Sequence, residues 1–232
     1  MKCSFRLMPR RQAEVKTKPR RETLTMSDIE KRCYVGEVRA AEVEGEPTKI
    51  IGYASVFNSR SELIFGSFRE VIKPGAFDDV LGDDVRALFN HDPNFILGRS
   101  SAGTLSLSVD DRGLRYEITA PQTQTIRDLV LAPMQRGDIS QSSFAFRVAR
   151  DGERWYQDED GVVVREITRF SRLLDVSPVT YPAYQEADSA VRSLEQWRSQ
   201  QAEQDQRSAE ARQKQTTEKA ARERVLDLLA RP

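Results

Sequence analysis

The stretch Gly103–Ala120, GTLSLSVDDRGLRYEITA, decides the fold class. Leu105, Leu107 and Val109 alternate with serines, a two-residue period that belongs to a half-buried strand. Asp110-Asp111-Arg112-Gly113 is a turn signal, and Leu114 to Ala120 reads as a returning strand, so the pair predicts a β-hairpin. Outward from it the chain keeps the same style. Strands are expected at Cys33 to Val43, Lys49 to Phe57, Phe68 to Ile72 and Val85 to Phe89. Others are expected at Ile139 to Ala149, Trp155-Tyr156 paired with Val162 to Ile167, and Phe170 to Val176. Pro93 and Pro178 are expected to end the strands before them. Gly52 predicts a bend or a close backbone approach. A helical turn or two is expected at Ala76 to Leu81. Ile126, Leu129, Val130 and Met134 carry the spacing of an amphipathic helix over Thr123 to Gln135. Many short strands with two or three helices predict a mainly β, α+β domain, a closed or nearly closed β-barrel with peripheral helices. A β-sandwich is the alternative.

The ends differ from the middle. Residues 1–25 hold eight Lys or Arg and only Glu14 and Glu22 as acids, with no period that buries a face. This reads as a flexible arm, and Met26 offers an alternative start. Residues 187–224 are dense in Gln, Glu, Arg, Lys and Ala, so they read as a polar helix or a disordered tail. Val191, Leu194 and Trp197 share one face at its beginning, and Val225 to Leu229 form a small apolar tip. The expected organisation is an arm over 1–32, a barrel over 33–185 and a tail over 186–232.

Composition limits the function classes. The chain has 232 residues, 31% of them charged, with zero formal net charge. Zero net charge gives no whole-chain drive toward nucleic acid. Cys3 and Cys33 are the only cysteines, and with one histidine they cannot form a four-ligand zinc site. Two distant cysteines suggest a reducing compartment. No apolar run has the ~18 residues of a membrane span, and no apolar segment follows the basic start, so no secretory signal is expected.

His91, in VRALFNHDPNFILGR at 85–99, is the single histidine. It is the one side chain type here that exchanges protons near neutrality without perturbation. A strand through Val85, Ala87 and Phe89 places His91 on their face at a strand end. In ISQSSFAFRVA at 139–149, Phe144, Phe146 and Val148 face the core, which directs Ser143, Ala145 and Arg147 the other way. Ser142 has the parity of Phe144, and Ser140 lies in the turn. In the last strand, Asp175 shares a face with Leu173 and Ser177. It is an acid among apolar residues, either exposed near a loop or buried and in need of a partner. His91, Ser143 and Asp175 form a candidate Ser–His–acid set, with Asp92 the rival acid.

These motifs give the chain a specific resemblance. GYASVFN at 52–58, FREVIKPGAF at 68–77, LFNHDPNFILGR at 88–99, GDISQSSFAF at 137–146 and LLDVSPVTYPAY at 173–184 resemble, in order, the tailed-phage prohead proteases. These are capsid-maturation serine proteases related to the herpesvirus assemblins. The resemblance implies an assemblin-type barrel over roughly 33–185, with His91 in the family's NHD segment and Ser143 as nucleophile. The chain departs from the pattern at Gln141, where glycine is common, at Ser142, and at Asp175, where glutamate is usual. The resemblance implies a serine endopeptidase without a cofactor. It would cut the scaffold, or a scaffold-like segment of the major capsid protein, and then itself, inside the assembling prohead in the host cytoplasm. The expected partners are the major capsid protein, the scaffold protein and further copies of the chain, with no membrane and no specific nucleic acid. The tail would tether the enzyme within the shell. Arg147 and Arg99 are weak candidates for stabilising an oxyanion. A non-enzymatic capsid scaffold with a degenerate barrel is the alternative, and a nucleic-acid-binding barrel using the basic arm is a third reading.

Overall fold

The computed structural model describes residues 28–34, 38–42, 44–45, 47–181 and 188–229. The basic arm read over residues 1–25, the Met26 start, Pro182 to Tyr184 and the side chains of the 225–229 tip lie outside them. Twelve strands are named: β1 (Glu30–Tyr34), β2 (Arg39–Ala41), β3 (Lys49–Val56), β4 (Arg69–Ile72), β5 (Arg86–Phe89), β6 (Asp92–Arg99), β7 (Leu105–Val109), β8 (Gly113–Thr119), β9 (Gln141–Val148), β10 (Glu153–Gln157), β11 (Val163–Ile167) and β12 (Phe170–Val179). Helical structure comprises α1 (Gln124–Ile126), a π-helical turn at Arg127–Leu131, α2 (Ala132–Arg136) and α3 (Asp188–Leu229), with a 3-10 turn at Ser100–Ala102. The fold is mainly β with peripheral helices, as the strand pattern predicts, and the two expected hairpins are β7–β8 and β10–β11. Residues 76–81 form successive turns rather than a helix.

The strands make three sheets, ordered β1-β9-β12-β5-β6, β2-β3-β8-β7 and β10-β11-β4. The closed or nearly closed barrel is therefore corrected: among the described residues each ladder ends in open edges. Closure needs one consistent stagger around the ring. Here bulges break register at Tyr53/Ser55, Phe170/Arg172, Leu173/Asp175 and twice along β5–β6, and each bends its strand. The sheets still share one core. Ile50, Leu114 and Tyr116 from the four-stranded sheet, Phe144, Phe146 and Leu173 from the five-stranded, and Ile72 and Ile167 from the three-stranded belong to a single buried cluster.

Neither proline ends its strand. Pro93 lies within β6, an edge strand whose second side needs no donor. Pro178 lies beyond Val176↔Ala87, the last β5 pair of β12, where β9 is the remaining ladder partner. Gly52 makes its close approach to a side chain: a Cβ there would lie 2.7 Å from the Tyr116 hydroxyl.

Helix α3 has two regimes. Ala190 and Leu194 are buried with Ile64 and Phe68, and Trp197 packs against them. Ser193 accepts from Trp155 Nε1 at 3.0 Å. From Arg198 to Arg224 every residue is exposed. At 1.5 Å per residue that free part is about 40 Å long. It has no apolar stripe, and its visible support is local pairing such as Arg207–Glu203.

Candidate active site

β5 and β6 are joined by a two-residue turn, because Phe89 pairs with Asp92. Asn90 and His91 both have positive φ, 53° and 57°, as a hairpin turn of the mirror-image type requires. Asn and His enter this region more readily than most residues, yet it still costs on the order of 1–3 kcal/mol for a non-glycine. Asn90 holds the turn. Its N–H donates to the Pro178 carbonyl at 3.0 Å, and its Oδ1 accepts from the Thr180 N–H at 2.9 Å. The turn is thereby bolted to the end of β12. His91 is thus in a turn, not at the end of a continuing strand, and local strain aims it.

Ser143 stands on β9 directly opposite Ser177 of β12 on one side and Cys33 of β1 on the other. Its face is not a solvent face: β9 is buried on both sides from Ser142 to Phe146, and Ser143 is 0% exposed. Phe144 and Phe146 stack in the core at 4.7 Å, and the hairpin turn lies over Ser143 from the other side. Asp175 reaches the same place through a bulge. β12 advances two residues, Leu173 to Asp175, while β9 advances one, Phe146 to Ala145. Leu173 therefore faces the core, and Asp175 and Ser177 face the site. The expectation that Leu173 shares their face fails at that extra residue.

Three side chains distant in sequence meet here. His91 Nε2 is 2.7 Å from Ser143 Oγ, and His91 Nδ1 is 2.6 Å from Asp175 Oδ1. A carboxylate only accepts, so Nδ1 carries a proton toward Asp175, and in the neutral ring Nε2 is then free to accept from Ser143. The serine proton has a second acceptor, the Arg32 carbonyl of β1 at 2.9 Å.

The other candidates lie elsewhere. Asp92 accepts from the Asn94 N–H and Nδ2 at 2.8 and 2.9 Å. Ser142 bonds Tyr116 Oη at 3.0 Å inside the core, where burial raises the phenol well above its ordinary range. Ser140 is exposed before β9. Arg99 pairs with Asp84 at 2.9 Å. Arg147 lies four residues along β9 from Ser143, roughly 13 Å at strand rise. Sequence reading missed Ser177, which donates to Asp175 Oδ1 at 2.8 Å and lies 3.4 Å from His91 Nδ1. It also missed Asn90. The two-residue spacing of Ser177 from Asp175 was the available signal.

β1, beside the serine, is anchored by a buried ionic cluster. Arg165 is 2% exposed and donates to Glu30 Oε2 and Oε1 (2.6 and 2.9 Å), Glu70 Oε2 (3.0 Å) and Glu153 Oε2 (2.6 Å). Arg32 adds Glu30 and Glu70 at 2.6 and 3.0 Å, and Ser189 of α3 donates to Glu30 at 2.6 Å. Burial opposes the charge on Glu30, but Arg165 and Arg32 outweigh it and hold the carboxyl at about 2, from 4.5. The guanidinium of Arg165 is desolvated too, yet its carboxylates push it above its ordinary value. Next to β1 is a cavity of about 310 Å³ whose walls include Arg32, Cys33, Arg60 and Phe144.

Comparison with known proteins gives two matches. The profile of a family described as Caudovirus prohead serine protease matches residues 36–201. The prohead protease of Enterobacteria phage HK97 is 30% identical over 165 residues, covering 63% of this chain and 65% of that protein. The chain thus spans just under two thirds of that relative's length. No solved structure matches.

Proposed function

The chain belongs to the caudovirus prohead serine protease family, and from that premise we propose that it is a serine endopeptidase acting in capsid maturation. The observation that carries the reading is His91 within hydrogen-bond reach of both Ser143 and Asp175. Ser143 is the nucleophile, His91 the general base and then acid, and Asp175 the carboxylate that holds the ring. As Ser143 Oγ bonds to the scissile carbonyl carbon, its proton passes to His91 Nε2. The positive ring is stabilised by Asp175 through Nδ1. Collapse breaks the C–N bond, and the proton goes to the leaving amine. Water, deprotonated by the same nitrogen, then frees Ser143. The acid is one methylene shorter than the family's usual glutamate, and the β12 bulge and the Asn90 clamp support a close approach. Ser143 is fully buried, so the reading requires the site to open before a peptide enters.

The substrates are the scaffold, or a scaffold-like part of the major capsid protein, and the chain itself. The reaction takes place in the assembling prohead within the host cell, where confinement raises local concentration. The exposed length of α3 is suited to tethering. The test is co-expression with the major capsid and scaffold proteins, comparing the parent chain with Ser143→Ala. Discrete cleavage lost in the variant is expected. Equal processing by both removes Ser143 as nucleophile and favours the non-enzymatic scaffold.

A further inference from the structure

We propose that Ser177 is a positioning residue: its hydroxyl fixes the carboxylate oxygen of Asp175 that takes the Nδ1 proton of His91. This rests on the catalytic reading above and adds a residue to it. The geometry is specific. Ser177 Oγ is 2.8 Å from Asp175 Oδ1, the same oxygen that lies 2.6 Å from His91 Nδ1. Ser177 is fully buried, and a buried hydroxyl without a partner is costly, so the bond persists. Its direction is fixed as well. The carboxylate has no proton to give, so Ser177 donates.

The backbone makes this arrangement rigid. Ser177 pairs with Ser143 and Asp175 with Ala145, so hydroxyl and carboxylate ride on one straight strand segment after the bulge. One residue on, the Pro178 carbonyl accepts from Asn90, which holds the turn bearing His91. An aspartate has two side-chain torsions and a broad terminal rotation. A donor on Oδ1 restricts that rotation and keeps the oxygen in line with Nδ1. The short acid therefore works here because a second side chain points it.

The test exploits the single histidine. Nitrogen-15 histidine labelling of the untagged full chain reports on His91 alone. The parent should show one strongly downfield, exchange-protected Nδ1 proton. In Ser177→Ala that signal should move upfield and broaden while the thermal melt stays cooperative. Cleavage of co-assembled capsid and scaffold protein should lose about tenfold in kcat at unchanged KM, the scale of one hydrogen bond to a charged group. A double-mutant cycle shows the route: in an Asp175→Asn background, Ser177→Ala should cost less than about twofold. A folded Ser177→Ala protein with the parent's histidine signal and kcat overturns the proposal. So does an additive loss in the cycle. Cleavage retained by Ser143→Ala instead overturns the catalytic reading, and the histidine signal then still judges whether Ser177 directs Asp175.

Discussion

Removing the buried cation at Arg165 should uncouple β1 from the fold. In Arg165→Met, Glu30, Glu70 and Glu153 lose the guanidinium that bonds all three. Arg32 remains for Glu30 and Glu70, so three carboxylates face one cation, and Glu30 is 1% exposed. Breaking a buried ion pair from one side costs about 3–5 kcal/mol. For a domain of this size each kcal/mol shifts Tm by about 2–4 °C, which gives a fall of roughly 6–20 °C. The pH dependence has a definite sign. The Glu30 carboxyl is depressed in the fold, from 4.5 to about 2. Its pairing therefore stabilises the fold fully above about pH 4.5 and less as pH falls toward 2. Without Arg165 the carboxyl can take a proton instead, so the gap between parent and variant is widest near neutrality and narrows below about pH 4.5. Thermal melts from pH 7 to pH 3 measure this, and adding Glu30→Gln should recover part of the loss at pH 7. A gap under about 1 kcal/mol, or an equal gap at pH 7 and pH 3, would refute the reasoning.

Asn90→Ala removes the clamp on the His91 turn and a residue suited to positive φ. We expect about 1–3 kcal/mol of destabilisation and a loss of cleavage larger than the stability change explains, read from urea titration beside single-turnover rates. Gly113→Ala puts a Cβ 2.0 Å from the Ser55 carbonyl oxygen. The β3–β8 ladder must separate, costing about 3 kcal/mol, and a parent-like denaturation midpoint would contradict that. Deleting residues from 198 onward removes only exposed helix among the described residues and should leave Tm within about 2 °C. Deleting from 188 also removes buried Ala190 and Leu194 and should cost about 2–4 kcal/mol. Calorimetry of the two truncations separates the folded unit from the tail.

Local pattern and composition determined the mainly β class, the two hairpins, the core parity of Phe144 and Phe146, and the polar helix after residue 187. Each rests on neighbours within a few residues, where periodicity and turn chemistry act. The lone histidine limited the choice of base by scarcity alone. The motif order pointed to Ser143 and Asp175, but no spacing along a chain states that positions 52 and 84 residues from His91 meet it. Tertiary structure decided that meeting, through a strained turn clamped by Asn90 and a bulge that carries Asp175 and Ser177 onto the face of Ser143. Tertiary structure also left the sheets open and assembled Arg165, Glu30, Glu70 and Glu153 from four strands. A bulge is one residue of slip in a pairing between distant segments, and a buried ion cluster forms only when separate strands bring its charges together.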